Sequence, residues 1–267
     1  MRAKFFFAVV LVLLLIAPTS ALAASWNLAS DFAANGDSSG PWAKDSGGNT
    51  VWYFKLAPTG GAANPAAYSS SALSWTTTYS WMPPGTPLKG WARLPGDLPH
   101  VSVNTGATDA NSNTNPPFPW RSGKVLSHPM PAADAWPYPV IEWKSPVAGE
   151  ADGSITLTDV DAGGGDGFQY WILKNSTQLD TGTVPNGGTV TETLTDEAVS
   201  PGSSIYVVLG PGIAGSHSWD STQIDMSITV PEPPVVSTPA SSGWAIAVLG
   251  ILGVAMAARK TRVPARS

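Results

Sequence analysis

The densest run of potential chemistry is Asp159-Val160-Asp161-Ala162-Gly163-Gly164-Gly165-Asp166. Three carboxylates around a flexible glycine run can wrap a calcium ion, which takes about six to eight oxygen ligands. The EF-hand pattern is not met, because its fifth position falls on Gly163 and its twelfth on Tyr170. Asp159, Asp161 and Asp166 are the expected ligands of a structural calcium, and Asp220 could join from another loop. The alternative is a glycine-rich turn whose Asp side chains bond neighbouring backbone N–H groups.

Aromatic residues are the second chemistry. The chain has 12 tryptophans. Trp75, Trp81, Trp91, Trp120 and Trp136 fall in or near irregular segments of the first half. A tryptophan face offers an apolar, electron-rich surface to the C–H groups of a sugar ring. The expectation is an exposed aromatic patch that contacts polysaccharide. The alternative is that these rings plug long loops onto the domain. Trp143, Trp171 and Trp219 sit in or beside strand patterns and are expected in the core.

Catalytic residues are expected to be none. The sequence holds no G-x-S-x-G, H-E-x-x-H or phosphate-loop motif. Its histidines are His100, His128 and His217, far apart in sequence. Glu142 and Glu150 could pair for glycoside hydrolysis, which leaves a secreted polysaccharide hydrolase or lyase as the second reading. The alternative for this pair is solvated loop or strand-edge carboxylates.

The 267 residues include 27 Gly and 25 Pro, with 12% charged and 43% hydrophobic residues. That composition describes a packed but loop-rich chain. The absence of cysteine excludes disulfides, thiolate metal sites and cysteine nucleophiles. The net charge of −5 argues against nucleic acid as a partner. Six of the 14 basic residues lie at the two ends, whereas all 19 acidic residues lie between Asp31 and Glu232. The middle is therefore strongly acidic, which suits attraction of divalent cations or solubility alone.

The elements that would position these residues are strands. Pro139–Trp143, Ser154–Thr158, Phe168–Leu173, Thr189–Leu194, Ile205–Leu209 and Ile224–Ile228 are short β-rich runs between turn residues. Several of them alternate with period two. Trp26–Phe32 and Val51–Leu56 read as opening strands, and Leu73–Trp81 as a hairpin or long strand. Segments 83–99 and 107–139 read as long loops. The expected fold is all-β, a single antiparallel β-sandwich of the jelly-roll kind over 24–229.

The ends read as addresses. Arg2 and Lys4, an apolar run from Phe5 to Ala17, and small residues up to Ala23 have the order of a signal peptide, 1–23, removed by signal peptidase. At the other end, Val230-Pro231-Glu232-Pro233 opens a motif and linker over 230–242. An apolar segment follows at 243–258, and a basic tail at 259–267 holds Arg259, Lys260 and Arg262. The 16 apolar residues make a helix of about 24 Å, a short transmembrane span against a ~30 Å core. The basic tail would stay cytoplasmic.

This three-part C-terminus resembles the PEP-CTERM sorting signal. The resemblance implies an exosortase partner, a membrane-anchored precursor, and a mature protein at the bacterial cell surface or in extracellular polysaccharide. A second resemblance is to a jelly-roll domain of exported bacterial proteins with such tails. It rests on Trp26–Phe32, Gly40-Pro41-Trp42, Ile141-Glu142-Trp143, Gly153-Ser154-Ile155, Gly164–Gly167, Gly202–Val207 and Trp219–Thr222. The chain departs from that pattern at Trp42-Ala43-Lys44-Asp45 and across 57–135. The resemblance implies a fold similar to carbohydrate-binding modules.

Overall fold

The computed structural model describes residues 23–231. The expected signal peptide up to residue 22, Glu232 and Pro233, the expected linker and transmembrane segment, and Arg259, Lys260 and Arg262 lie outside the described residues. No described helix is long and apolar enough to cross a membrane.

Sixteen strands carry the chain: β1 Ala24–Asn27, β2 Trp42–Lys44, β3 Thr50–Ala57, β4 Ser74–Thr76, β5 Leu88–Ala92, β6 His100–Asn104, β7 Ala110–Asn111, β8 Pro119–Trp120, β9 Val125–His128, β10 Tyr138–Lys144, β11 Gly149–Asp159, β12 Phe168–Lys174, β13 Thr177–Val184, β14 Thr189–Val199, β15 Ser204–Pro211 and β16 Thr222–Val230. The first sheet has the order β14-β11-β16-β9-β6-β5-β4, with β1 also on β16. The second has the order β13-β12-β15-β10-β3-β2, and β7 and β8 form a small ribbon. Both large sheets are antiparallel throughout. The fold is an antiparallel β-sandwich. From β10 onward the chain repeatedly changes sheet, so neighbouring strands are mostly non-consecutive.

The pleat explains the burial. Along β16, Ile224, Met226, Ile228 and Val230 turn inward while Gln223, Asp225, Ser227 and Thr229 do not, as a period of two requires. Strand β15 is buried on both faces. Ile205, Val207 and Leu209 join the main core, and Tyr206 and Val208 pack on the opposite face. The main core also holds Trp26, Trp52, Phe54, Trp143 and Phe168. Trp26 and Trp143 meet at 5.1 Å between ring centroids. Each such side chain contributes about 1.5–3 kcal/mol when fully buried.

Three expectations are corrected. Residues Leu28–Asn35 form a helix, α1, instead of continuing an opening strand. Asn27 Oδ1 accepts the Ser30 N–H at 3.0 Å and caps it. Leu28, Ala29 and Phe32 form its buried face. Eight residues are too few for a helical period to stand out.

The segments read as long loops contain β5, β7, β8 and β9 together with their turns. Only Ser74–Thr76 of the expected Leu73–Trp81 element is a strand. Strands β5 and β9 lack alternation because the first sheet is covered on both sides here, and β7 and β8 are only two residues each. Val101 and Val103 of β6 face the main core, whereas Leu88, Ala92 and Leu126 join a second cluster with Tyr79, Met82, Phe118 and Trp120. The stretches around Tyr79–Met82 and Phe118–Trp120 thus form a third layer over the outer face of that sheet. Strand β13 went unread because it is a largely polar, exposed edge.

The Trp52 indole N–H donates to Asp31 Oδ2 at 2.9 Å, tying α1 to β3 inside the core. Trp52→Phe leaves a buried carboxylate without this donor. It should cost about 1–3 kcal/mol, read from the urea midpoint at unchanged slope.

Candidate functional site

The register of the first sheet gathers polar residues at one end. Asp159 of β11 pairs with Thr222 of β16, Thr222 with Ser127 of β9, and His128 with His100 of β6. Val160 N–H donates to Ser221 O at 2.9 Å, continuing the β11–β16 ladder past the strand ends. His100, His128, Asp161 and Ser221 therefore come to the same rim although up to 121 positions separate them in sequence. The third layer closes over this rim.

A cleft of about 340 Å³ opens there. Trp81, Leu98, Thr114, Phe118, His128, Asp161, Ser218, Trp219 and Ser221 line it. A larger recess of 490 Å³ beside Trp26 and Asp45 is a weaker candidate. Its carboxylate is engaged by Trp26 Nε1 at 3.0 Å and by Asn49 N at 2.8 Å.

One wall of the cleft is rigid. The Trp81 ring stacks on Trp120 at 5.4 Å with 10° between planes, and on His100 at 5.3 Å. His100 Nδ1 is bonded to Ser102 Oγ at 3.0 Å, and Tyr79 OH is bonded to the same hydroxyl. The opposite wall is Trp219, whose backbone has φ +71°. That conformation is an outlier for a bulky residue and concentrates at functional positions. Asp161 is 4% exposed. Its Oδ2 accepts from Ser221 Oγ at 3.2 Å, while Oδ1 has no partner in the protein.

The five expected sugar-binding tryptophans do not form one exposed patch. Trp91 and Trp120 are buried at 5% and 0% exposure. Trp75 is half-buried and meets Trp91 edge-on at 5.4 Å. Trp136 is half-buried against the main core. Only Trp81 of the five reaches the cleft. The exposed large apolar side chains among the described residues are Leu94 and Ile213, neither aromatic. Of the tryptophans expected in the core, Trp143 is fully buried, Trp171 is half-buried against the second sheet's outer cluster, and Trp219 is instead a cleft wall.

The carboxylates also part company. Asp159 is engaged by the N–H groups of Asp161 and Gly187. Asp166 is exposed and accepts from Ala214 N–H at 2.7 Å. Among the described residues no three carboxylate or imidazole side chains converge on one metal position, so Asp159, Asp161 and Asp166 do not form a ready ligand set. Glu142 is buried, pairs with Lys55 at 2.6 Å and accepts from Ser204 Oγ. Glu150 lies exposed on the other sheet, and the two do not make a hydrolytic pair.

The histidine row was missed because nothing local marks it. Ring centroids are 6.3 Å apart for His100–His128 and 5.8 Å for His128–His217. Burial holds all three below the ordinary histidine value, with His128 lowered to about 4. Burial acts oppositely on the acids. It pushes Asp161 up to about 6. Asp220 is pushed up to about 8, by burial foremost and then by the Asp166, Asp159 and Asp161 carboxylates.

No family model matches the sequence, and no curated protein matches it. Among solved structures, the chain is similar to a CBM51 module from the GH95 protein of Clostridium perfringens, solved with methyl-galactose. That match has 7% identity, covers 43% of this chain and 72% of that one, and has a TM-score of 0.30. A CBM51-2 and INT pair from Clostridium perfringens ZmpB matches at 8% identity, over 62% of this chain and 42% of that one, with a TM-score of 0.32. The K3 adhesin domain of Lys-gingipain from Porphyromonas gingivalis matches at 13% identity, over 41% and 74%, with a TM-score of 0.29. TM-scores of this size establish neither a shared fold nor a shared ligand.

The pKa shifts set a pH dependence. The folded state resists protonating His128 until pH approaches 4, whereas the unfolded chain protonates near 6.5. Stability from this group is full above about 6.5 and is lost as pH falls to about 4. His128→Gln should flatten the decline of the urea midpoint between pH 6.5 and 4. Asp161 and Asp220 act with the opposite sign. Their contribution is full below about 3.8 and is lost by about 6 and 8 respectively.

Proposed function

We propose that the protein is an exported bacterial surface or extracellular-matrix protein whose sandwich binds polysaccharide without catalysis. The cleft between Trp81 and Trp219 carries this reading. It offers aromatic faces for the apolar side of a sugar ring and, in Asp161, one carboxylate in its lining for the ring's hydroxyls. Asp161 is the single carboxylate among the cleft's lining residues. Glycoside hydrolysis uses two, so this favours binding over the alternative of a secreted hydrolase or lyase. Within the sandwich class, the sheet-changing course from β10 to β16 supports a jelly roll, with 24–229 as the exported domain.

Sorting follows from the C-terminus. Val230-Pro231-Glu232-Pro233 would be the exosortase recognition motif, with the 243–258 segment a membrane span until processing and Arg259, Lys260 and Arg262 its stop. Signal peptidase would release residues 1–23.

The glycan reading is tested on an array with the full-length protein. Trp219→Ala and Asp161→Asn should each weaken binding about tenfold or more, a loss of about 1.4 kcal/mol, with the far-ultraviolet circular dichroism unchanged. Unchanged binding in both variants would sink the reading. Sorting is tested separately in a host that makes an exosortase. Replacing Pro231, Glu232 and Pro233 with alanine should leave an unprocessed, membrane-held chain. Normal processing would remove the sorting assignment.

A further inference from the structure

Asp220 poses an electrostatic problem that no protein group solves. Its side chain is fully buried. Oδ2 accepts the Gly212 N–H at 3.2 Å, but Oδ1 has no partner. The surrounding charges are Asp166, Asp159 and Asp161, all of the same sign. The five ion pairs among the described residues engage Glu142, Asp134, Asp109, Asp225 and Glu197, and none of these four aspartates. An unpaired charge at zero exposure is strongly unfavourable unless something neutralises it.

The neighbouring oxygens converge on one turn. A Cβ placed on Gly165 would lie 2.6 Å from Ser218 O and 3.6 Å from Asp220 Oδ1. The free carboxylate oxygen and a main-chain carbonyl therefore face the same spot. A Cβ on Gly212 would collide with the Asp166 carboxylate, so Asp166 lies against the same peptide whose N–H holds Asp220. Gly165 has φ +87°, which lets the turn pass close to these oxygens.

We propose that Asp220 and Asp166, with the Ser218 carbonyl, bind one hard divalent cation, calcium, beneath the Gly163–Asp166 turn. Two carboxylates, one carbonyl and waters form a set that calcium accepts, since it takes about six to eight oxygens in flexible geometry. The site differs from the run Asp159, Asp161 and Asp166. Asp159 is held by backbone donors and Asp161 faces the cleft. Bound calcium would neutralise Asp220 and fix the glycine turn against Trp219. A Cβ on Gly163 or Gly164 would come within 2.8 or 3.2 Å of that indole ring. The inference does not rest on glycan binding.

The test is terbium(III) luminescence on the full-length protein, excited through tryptophan and chased with calcium. The expected result is saturable emission at one ion per chain, displaced by about millimolar calcium, the range of extracellular calcium modules, and not by equal magnesium. Asp220→Asn should abolish the emission. It should also abolish the rise in melting temperature that calcium gives over a chelator. Asp152→Asn, an exposed position on β11, should leave both intact. Should Asp220→Asn fail to fold, Asp166→Asn, at an exposed residue, must weaken terbium binding about tenfold. Absence of saturable emission from the wild type, with equal melting in calcium and chelator, overturns the proposal and leaves Asp220 a neutral acid. Undiminished emission in Asp220→Asn or Asp166→Asn overturns it as well.

Discussion

The antiparallel register between β11 and β16 is the constraint on which the rest of the molecule depends. Eight residue pairs, Asp152↔Thr229 through Asp159↔Thr222, lock these strands together. The other edge of β16 is divided, with β1 along Asn27–Ala24 and β9 along Val125–Ser127. One strand thus joins both ends of the described chain to the middle of the sheet. A shift of one residue would turn Ile224, Met226 and Ile228 out of the core. It would also separate Asp161 from Ser221. The hydrophobic pattern that stabilises the sandwich is therefore the same pattern that sets the rim.

The third layer follows from the composition of the first half. That half is rich in aromatics and proline, and rings of this size cannot remain in water without loss of burial energy. They find cover on the outer face of the first sheet, where β5 presents Leu88 and Ala92 and β9 presents Leu126. Some polar groups trapped there are matched locally, whereas Trp81 Nε1, Trp120 Nε1 and His100 Nε2 have no partner in the protein. Asn104 Nδ2 donates to Trp120 O at 2.9 Å, and Ser127 Oγ donates to His100 O at 2.7 Å. The proposed aromatic surface for sugar was thus largely drawn into packing, and Trp81 is left as its one face at the cleft.

Legibility in the sequence divides along the same line. Strands β10, β11, β12, β14, β15 and β16 were readable because each alternates, or is apolar throughout, between turn residues. Strands β5, β6 and β9 were not, because a sheet covered on both sides needs no alternation, and Gly90 sits where a side chain would strike Val101 O. The aspartate–glycine run was visible as possible cation chemistry. Its division between a cleft, a backbone-capped turn and a buried neighbour was not, since that depends on Asp220 and Gly212 arriving from the loop between β15 and β16. The histidine row had no local signal at all. Cross-strand pairing alone assembles it.

The cleft joins two walls of unequal rigidity, and this shapes what it can do. Trp81 is fixed by stacking on Trp120 and His100, a dry aromatic packing with little freedom. Trp219 stands with a left-handed backbone on the loop between β15 and β16, against the Gly163–Gly165 turn and beside a group of like-charged carboxylates. Such loops belong to the low-stability end of a fold, where small changes in charge shift the local equilibrium. Selectivity for a ring's shape would then reside on the Trp81 side. Affinity would be governed from the Trp219 side, by whatever neutralises Asp220. The acidic interior under that wall is costly for stability, and its location at the cleft, not elsewhere in the sandwich, links the charge to the site.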